Sequence, residues 1–530
     1  MDFHGTFDNA EVASDSMVGT EKQQDLNRTK ARRTLQDVLP AHPQPWYMSR
    51  HLLLLNSLMI IPYLSSTNNG YDGSMLNGLQ SMTQWQTFFN HPTGASLGAL
   101  ANGYIFGEIL AWPFISWVCD SMGRRFPIFL GSVLLVIGAI LQAAAQNYAM
   151  FLIARMVIGF GGLMALVPSP LWVSETAYPT HRHVLTALFN TIWYLGAAFA
   201  AWITFGTYHM SPTSSWSWRI PSLLQGFFPL IQLVFVYFIP ESPRYLIYKG
   251  RLDEARRVIV KYHAGGDDNA PIVDFEMEEI SAALEAEKLQ GTSSYLDFFK
   301  TKGNRQRLFL VCFVPIMMQL SGNGLASYYL AKVLISIGIT SANEQLIING
   351  VLMVYNLVLA IAQAFTVEKV GRRGLFLFST CGMLVSFTIW TALSAINQET
   401  NFQQASLGNG VLAMIFLYYF CYDAGLNGAP YLFLTEVLTY QLRAKGINLM
   451  QIVKIIALIY NGFVNPIAMD AIQWRYYIVF VCIIAVEVVV VYFFFPETKG
   501  RTLEEVAVIF DGDAAFVDYN GAPVIEKGAD

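Results

Sequence analysis

The chain has 530 residues, of which 54% are hydrophobic and only 13% are charged. A soluble globular protein carries about twice that charged fraction, so the composition indicates a membrane protein. The net charge of −5 is small for this length and argues against a nucleic-acid partner. The five cysteines lie in or beside apolar segments without the spacings of a metal site or a disulfide framework, so we expect neither a metal nor a cofactor.

The first 50 positions are polar and mixed in charge, and they predict a tail without a cleavable signal peptide. Windows of about 20 apolar residues then predict twelve membrane-spanning helices. The predicted spans lie near 51–69, 95–118, 126–145, 150–173, 184–206, 222–239, 307–330, 345–367, 374–396, 408–434, 447–468 and 475–495.

The spans fall into two sets of six, separated by a polar segment. The predicted fold class is an all-α membrane protein with two six-helix bundles, residues 51–239 and 307–495. Residues 240–306 are too polar to span a membrane but contain helical patterns such as EMEEISAALEAEKLQ, so they predict a cytosolic helical linker. Residues 1–50 and 496–530 are predicted to be tails.

Basic residues indicate the orientation in the membrane. Of the 33 Lys and Arg residues, only Lys332, Arg219 and Arg475 fall in the odd-numbered loops, and two more lie inside spans. Positive charge favours the cytosolic side, so both termini are predicted to be cytosolic. The glycosylation sequon at Asn27 would then lie in the cytosol, and we expect it to be unmodified.

Charged motifs recur in the same order in both halves. The first half has Asp120, Arg124 and Arg125 after its second span, Glu175 and Arg182 after its fourth, and Glu241 and Arg244 after its sixth. The second half has Glu368, Arg372 and Arg373, then Glu436 and Arg443, then Glu497 at the corresponding places. Three motifs in one order indicate an internal duplication, which is typical of two-bundle transporters.

These residues resemble the sugar porter family of the major facilitator superfamily, and the resemblance covers about residues 50–505. The motifs that carry it are DSMGRR at 120–125, EKVGRR at 368–373, PESPR at 240–244 and PETKG at 496–500. Within the family, GYDG at 70–73, NTIWY at 190–194, QLSGNGLASYY at 319–329 and VNPI at 464–467 resemble the fungal lactose and cellodextrin permeases. The resemblance implies a fungal plasma-membrane sugar symporter and not an enzyme.

The resemblance also implies what the repeated charges do. In this family they gather at the cytosolic face of each bundle, where such a network can latch the outward-open state and must break when the inside opens. We therefore predict that all the charged residues of the repeated motifs are gating residues.

A proton-coupling pair is implied by family position. Asp72 ends the first span where proton symporters of the family carry their coupling acid, and Arg155 matches the arginine that faces it. A carboxylate held by an arginine favours its ionised form, and one withdrawn into a dry cavity favours its protonated form. Alternation between the two environments would pick up and release a proton.

Sugar binding needs amides and hydroxyls for the sugar hydroxyls and aromatic faces for the ring. The candidates by family position are Asn190, Trp193, Gln319, Asn323, Tyr328, Tyr431, Asn461 and Asn465. Met318, Gly324 and Tyr431 differ from the residues of monosaccharide porters, and the small residue at 324 would leave room. These differences favour a disaccharide or another neutral glycoside.

Further ionisable residues lie inside apolar segments. Lys454 stands where the family places a sugar-contacting amide, so we expect it to line the cavity with Asp423 or Glu108 as its partner. Glu487 lies near the end of the last span and is expected to be peripheral.

Two further functions compete with a proton-coupled sugar importer. An uncoupled facilitator or an exporter of a polyol or secondary metabolite would also accommodate the unusual cavity residues and Lys454. A transporter-like sensor usually has a long cytosolic tail, and the tail after residue 496 is short. The expected partners are therefore a sugar, a proton and the lipid bilayer, and we expect a monomer.

Overall fold

The computed structural model describes residues 35–39, 45–211, 213–289, 294–499 and 503–511. Regular structure in these ranges is helical, and the all-α membrane fold predicted from the sequence is confirmed. Asn27 and most of both predicted tails lie outside the described residues. The predicted domain limits stay predictions.

The spans of the first half are often built from two helices in succession. They are Arg50–Leu58 and Ile60–Ser81; Gly94–Met122; Arg125–Ala143; Tyr148–Leu166 and Pro168–Thr176; Arg182–Thr191 and Trp193–Tyr208; and Trp216–Leu224 and Phe227–Phe235. Short helices at Leu35–Val38, Thr83–Phe88 and Val236–Phe238 flank them, the last being a 3₁₀ turn.

The second half follows the same plan. Its spans are Lys302–Leu320 with Asn323–Tyr328 and Leu330–Ser336; Ala342–Val370; Arg372–Glu399; Ala405–Tyr422 and Ala429–Val437; Tyr440–Ile472; and Arg475–Phe494. The helices between the halves are Pro243–Tyr248, Leu252–Tyr262, Pro271–Leu289 and Asp297–Lys300, and a helix at Leu503–Asp511 follows the last span.

Within the described residues, nine helical stretches are long and apolar enough to cross a membrane. They correspond to all the predicted spans except the first, the second and the seventh. The first span contains the polar run from Ser65 to Asn69, the second contains Asn102 and Glu108, and the seventh is interrupted at Gly322. These three spans contain polar residues that face the protein interior. The polar residues lower the mean hydropathy of the spans.

Several spans are broken near their middle, and three of the breaks involve a special backbone conformation or a proline. Gly322 adopts a left-handed conformation, with φ of 104°, and separates two helices of the seventh span. In the tenth span a π-helical segment, Asp423–Asn427, precedes the helix that begins at Ala429. Pro168 begins a new helix in the fourth span. Irregular backbone at membrane depth is tolerated where it lines a polar interior, and π segments are frequent at functional sites.

Close helix packing depends on small residues. In the first half the second span packs on the fourth, and a Cβ at Gly159 would overlap the carbonyl oxygen of Tyr104. The first span packs on the fifth, and a Cβ at Gly196 would overlap the carbonyl oxygen of Thr67. Between the halves, the fifth span packs on the eighth and the second on the eleventh.

The chain divides into two compact units. One contains the described residues up to Leu55 together with Leu246–Leu289, and the other contains Asn56–Tyr245 and the described residues from 294 onward. The smaller unit is held internally by a buried contact of 2.8 Å between His263 Nδ1 and Glu276. Both halves of the membrane domain belong to the larger unit.

Candidate functional site

Asp72 and Arg155 meet in the interior of the first half. The two groups form a bidentate pair, with both nitrogen–oxygen distances at 3.1 Å, and both residues are buried. Gln225 Nε2 donates a third hydrogen bond to Asp72 Oδ1 at 2.8 Å, and Arg155 Nε donates to the carbonyl oxygen of Leu100 at 2.7 Å. The arrangement satisfies an ionised carboxylate on several sides.

A series of hydrogen-bonded side chains lies beside the Asp72–Arg155 pair. Trp193 Nε1 donates to Asn69 Oδ1 at 2.9 Å, and Asn69 Nδ2 donates to the hydroxyl of Tyr104 at 3.1 Å. Tyr104 also interacts electrostatically with Glu108, one turn further along the second span. Of these residues, only Trp193 was predicted from the sequence to bind the substrate.

The broken seventh span contributes a second group of amides. Asn323 Nδ2 donates to the hydroxyl of Tyr422 at 3.1 Å, and Asn323 Oδ1 accepts from Ser327 at 2.9 Å. Asn461 Nδ2 donates to the backbone carbonyl oxygen of Gln319 at 2.7 Å, so the eleventh span is tied to the seventh. The structure therefore brings Gln319 and Asn461 together, while Asn323 bonds the tenth span through Tyr422.

Tyr431 and Lys454 form a looser polar set. Lys454 Nζ lies 3.5 Å from the hydroxyl of Tyr431, which lies 3.4 Å from Gln451 Oε1. All three residues are half-buried. Lys454 interacts electrostatically with Glu108 and Tyr328, and Glu108 as the partner of Lys454 stays a prediction.

Two of the predicted binding residues lie apart from these groups. Asn465 is buried and accepts a hydrogen bond at 2.8 Å from the hydroxyl of Tyr476 in the last span. Asn190 is exposed and belongs to none of the polar groups described above.

The space expected beside Gly324 is filled. A Cβ at residue 324 would lie 2.5 Å from Nδ2 of Asn461, because the asparagine side chain occupies the position left by the missing Cβ. Gly324 therefore serves the packing of the seventh span against the eleventh and does not enlarge a cavity.

Asp423 and Glu487 are further buried carboxyl groups. Asp423 Oδ1 accepts a hydrogen bond at 2.8 Å from the hydroxyl of Tyr194, which joins the tenth span to the fifth across the two halves. Glu487 is 1% exposed, and neither of its oxygens has a hydrogen-bond partner among the described residues. The expectation of a peripheral Glu487 was therefore wrong, because the last span turns this face toward the core of its half.

Hydrogen bonds join the two halves at the end of the first span. Asn77 Nδ2 donates to Asn349 Oδ1 at 3.2 Å, and Asn77 Oδ1 accepts from the backbone N–H of Leu330 at 3.1 Å. Gln80 Nε2 donates to the carbonyl oxygen of Tyr328 at 2.9 Å. We refer to these five residues as the Asn77 closure.

The first charge cluster contains Arg124, Arg125, Glu175, Glu241 and Ser242. Arg124 makes a bidentate pair with Glu175, with both distances at 3.0 Å, and Ser242 donates to the same carboxylate. Glu241 accepts from the backbone N–H groups of Arg124 and Arg125 at 2.9 and 3.3 Å.

The second charge cluster contains Arg372, Arg373, Glu436, Glu497 and Thr498 and repeats this geometry. Arg372 pairs with Glu436 at 2.8 and 3.2 Å, and Thr498 donates to the same carboxylate at 2.6 Å. Glu497 accepts from the backbone N–H groups of Arg372 and Arg373 at 3.0 and 3.1 Å. The duplication seen in the sequence therefore extends to individual hydrogen bonds.

Glycine is required at the turn that opens each cluster. Gly123 and Gly371 have φ of 88° and 94°. A Cβ at these positions would lie 2.5 Å from Glu241 Oε2 and 2.9 Å from Glu497 Oε2. Only glycine permits both the backbone conformation and the close carboxylate.

Backbone N–H donors lower the pKa of Glu497. Burial alone would raise its pKa, but N–H groups of Lys499, Arg372 and Arg373 bond the carboxylate and hold its pKa below the ordinary value. Because the folded pKa is lowered, the contribution of Glu497 to stability is present at neutral pH and is lost as the pH falls through that lowered pKa.

The remaining predicted gating residues lie outside these bonds. Arg182 and Arg443 are half-buried, and their side chains form no hydrogen bond or ion pair with any residue that the structure describes. Asp120 is exposed and attracts Arg124 electrostatically, and Arg244 is half-buried beside the first cluster. The side chain of Glu368 lies outside the described part of the chain.

Two helical halves related by a repeat, with broken spans and ionisable groups between them, define a transporter of the major facilitator fold. The sequence matches the family described as "Sugar (and other) transporter" over residues 58–510, so the chain belongs to this family. The predicted resemblance to sugar porters is thus confirmed, and the family is one of transporters and not of enzymes.

The relatives include several fungal proteins. The chain is 30% identical to the MFS-type transporter oryC of Aspergillus oryzae over 420 residues, which cover 78% of this chain and 76% of the relative. It is 28% identical to the high-affinity glucose transporter of Kluyveromyces lactis, with 86% of this chain and 85% of the relative covered.

Solved structures share the fold. The proton:xylose symporter XylE has a TM-score of 0.69 and 20% identity, with 86% of this chain and 99% of that chain covered. The inward-open form of XylE from E. coli has a TM-score of 0.70 and 20% identity, with 86% and 100% covered.

Proposed function

We propose that the protein carries a neutral sugar across the plasma membrane together with a proton, by alternating access, with both termini in the cytosol. The observation that carries the proposal is the buried bidentate pair of Asp72 and Arg155 between polar residues of the spans. A buried ion pair gives little net stability compared with apolar packing, so its presence in a membrane interior supports a role in transport. Relatives described as a glucose transporter and as a proton:xylose symporter support a sugar and a proton as the transported species.

The coupling step follows from the contacts of Asp72. In the present arrangement Arg155 and Gln225 donate hydrogen bonds to both carboxylate oxygens of Asp72. A conformational change that withdraws Asp72 from Arg155 favours uptake of a proton from the side to which the site is then open. Return to the present geometry releases it on the other side.

The Asn77 closure supports an assignment of the present conformation. With cytosolic termini, the end of the first span at Ser81 lies outside, and the Asn77 closure seals that side. Each charge cluster is bonded within its own half among the described residues, so these bonds, unlike the predicted network, do not have to break when the inside opens. We infer that the structure corresponds to the inward-facing state.

Arg182 and Arg443 are proposed to act in the opposite state. Because neither side chain has an ion pair with a described residue here, replacing either by Ala should leave this state intact and remove contacts made when the inside closes. We expect both variants to shift the equilibrium toward the inward-facing state. Distances between spin labels on the two cytosolic faces would measure the shift, and unchanged distance distributions in both variants would refute the assignment.

The substrate is proposed to be a neutral sugar, and a disaccharide or other glycoside remains our proposal for its size. The room expected at Gly324 does not exist, so the size argument now depends on Met318 and Tyr431. Amide and phenol side chains from both halves lie around the proposed binding site. Such groups suit a ligand that is rich in hydroxyl groups.

Gln319 is expected to contribute to sugar affinity. Its backbone carbonyl is bonded to Asn461, while its side-chain amide forms no hydrogen bond with a described residue. Gln319→Ala should therefore weaken sugar binding by about 1–2 kcal/mol, roughly five- to thirtyfold, with normal surface expression. Asn397→Ala, which removes a buried amide that bonds the carbonyl oxygen of Ile337, is the control and should leave affinity unchanged. Equal affinities in the parent and Gln319→Ala would move the site elsewhere.

The direct test of the proposed function is uptake of a panel of labelled sugars by cells that lack their own transporters. We expect uptake of at least one neutral sugar, and its reduction when an uncoupler removes the proton gradient. An uncoupled facilitator would equilibrate the sugar with or without the uncoupler, and an exporter would lower the internal level.

A further inference from the structure

Arg307 is a fully buried cation at the start of the seventh span. Its exposed fraction is 0%, and each of its three guanidinium nitrogens donates at least one hydrogen bond. Nε donates to the carbonyl oxygen of Val437 at 3.1 Å, and Nη1 donates to Asn304 Oδ1 at 3.0 Å. Such a cation depends on its partners, because a buried charge that loses its partner is strongly destabilising.

The anionic partner of Arg307 is Asp511, the last residue of the C-terminal helix Leu503–Asp511. Nη1 and Nη2 lie 3.0 and 2.7 Å from the two carboxylate oxygens, and the guanidinium carbon lies 4.8 Å from the centre of the Phe510 ring. A carboxylate at the C-terminal end of a helix is unfavourable for that helix, and its last turn contains no basic residue. The position of Asp511 is therefore explained by its bond to Arg307 and not by the stability of its own helix.

The C-terminal helix is seated closely on two spans. A Cβ at Gly303, in the first turn of the seventh span, would overlap Asp511 Oδ1 and lie 2.6 Å from the carbonyl oxygen of Phe510. Val506 is 1% exposed, and the helix also packs against the tenth-span helix Ala429–Val437. The seat leaves no room for a larger residue at position 303.

The last part of the chain holds the end of the tenth span at two consecutive residues. Thr498 donates directly to the carboxylate of Glu436 at 2.6 Å. Asp511 binds Arg307, which in turn donates to the carbonyl oxygen of Val437. The tenth span is thus tied to the seventh at the point where the C-terminal helix rests.

The two helices that are tied together each lie next to a break in their span. Gly322 separates Lys302–Leu320 from the rest of the seventh span, and the π-helical segment Asp423–Asn427 separates Ala429–Val437 from the rest of the tenth. With the cytosolic termini proposed above, both helices are the cytosolic parts of their spans. A short helix beyond a break can move separately from the remainder, because the break absorbs the change in backbone angles.

We propose that the C-terminal helix Leu503–Asp511 is a strap that holds these two cytosolic helices as one body, with the Arg307–Asp511 pair as its lock. Release of the strap frees the helix Ala429–Val437 to move. This helix carries Tyr431, a proposed sugar-binding residue, so release also weakens sugar binding. The effect on sugar binding rests on the proposed function, whereas the mobility of the helix does not.

The test is hydrogen–deuterium exchange, followed by mass spectrometry, on the full-length protein in lipid nanodiscs. Two variants release the strap in independent ways. Asp511→Asn removes the charge that pairs with Arg307. Gly303→Ala places a methyl group in the seat of the strap and leaves both members of the pair unchanged. Affinity for D-glucose and D-xylose is measured on the same samples.

Matched controls make the same chemical changes where the strap is not involved. Asp470→Asn removes the carboxylate of an exposed ion pair in the same half. Gly374→Ala adds a methyl group at a position where the nearest atom is 3.9 Å from the new Cβ. The helix Pro168–Thr176 is the counterpart of Ala429–Val437 in the first half and provides an internal control within every variant.

We expect amide exchange in Ala429–Val437 to be about tenfold faster or more in Asp511→Asn and in Gly303→Ala, because the local opening of this helix becomes easier. The amides of the strap itself should also exchange faster. Pro168–Thr176 should exchange as in the parent, and both controls should match the parent throughout. Sugar affinity should fall in the two strap variants and not in the controls.

Other outcomes overturn the inference in distinguishable ways. Faster exchange of the strap with unchanged exchange of Ala429–Val437 would show that the helix does not hold the tenth span. An equal rise in Pro168–Thr176 would show a general loss of stability and would refute a strap. Unchanged exchange everywhere would show that the Arg307–Asp511 pair is not a lock. If the parent binds neither sugar, the proposed function fails, while the exchange rates still decide whether the helix is a strap.

Discussion

Asp72→Asn is expected to abolish concentrative sugar uptake while sparing exchange of sugar across the membrane. Asparagine keeps the shape of the side chain and a hydrogen-bond acceptor for Arg155, but it cannot bind and release a proton. Both faces of the carrier should still open, so labelled sugar on one side should exchange with unlabelled sugar on the other.

The expected effect is large. One proton moving with one neutral sugar through about 100 mV, inside negative, supplies about 2.3 kcal/mol. A pH difference of about one unit adds roughly 1.4 kcal/mol. Together they support a sugar gradient of about 500-fold, whereas the variant should reach about the same concentration on both sides. Accumulation of a labelled sugar in cells or proteoliposomes measures the difference.

Asp470→Asn is the matched control for this prediction. Asp470 is exposed and pairs with Lys332 at 2.6 Å, so the same chemical change there should preserve accumulation. Acidifying the outside should stimulate uptake by the parent and by this control but not by Asp72→Asn. If Asp72→Asn still concentrates sugar and responds to external pH, the coupling role passes to another buried acid, such as Asp423.

Asn77→Ala is expected to shift the conformational equilibrium toward the outward-facing state. Asn77 makes two hydrogen bonds across the halves, and its loss would leave the buried N–H of Leu330 unpaired in the closed arrangement. The closed state should lose about 2 kcal/mol, which is roughly a thirtyfold change in the equilibrium. Distances between spin labels at Thr83 and Ser341, both exposed at this end, would report the opening.

A buried asparagine that acts within one half provides the comparison. Asn397 donates to the carbonyl oxygen of Ile337 at 2.8 Å inside the second half. Asn397→Ala should lower the melting temperature without changing the distance between the labels. A distance distribution in Asn77→Ala that matches the parent would show that the Asn77 closure does not control opening.

The sequence predicted the spans best where they are uniformly apolar. Stretches of about 20 apolar residues are sufficient to locate such helices. A helix of this length crosses the hydrocarbon core, its side chains must be apolar there, and its backbone groups bond one another. Spans with polar interior faces are harder to assign by composition alone, and the break at Gly322 follows from a single residue in a left-handed conformation.

The candidate site was predictable only in part. The Asp72–Arg155 contact was implied by the family, whereas Gln225, the third partner, sits in an apolar segment with no motif to mark it. Glu175 and Arg182 follow the same span in sequence, but Glu175 pairs with Arg124, which follows the glycine turn after the second span. Such pairings depend on the tertiary arrangement of helices far apart in sequence.

The most direct test of proton-coupled transport is a current measurement on proteoliposomes after a sudden addition of sugar. With the parent protein and no imposed potential, sugar addition should produce an inward movement of positive charge and acidify the lumen. The same addition to Asp72→Asn proteoliposomes should produce neither signal, although labelled sugar still exchanges. Entry of sugar into parent proteoliposomes without a current and without a pH change would contradict the account.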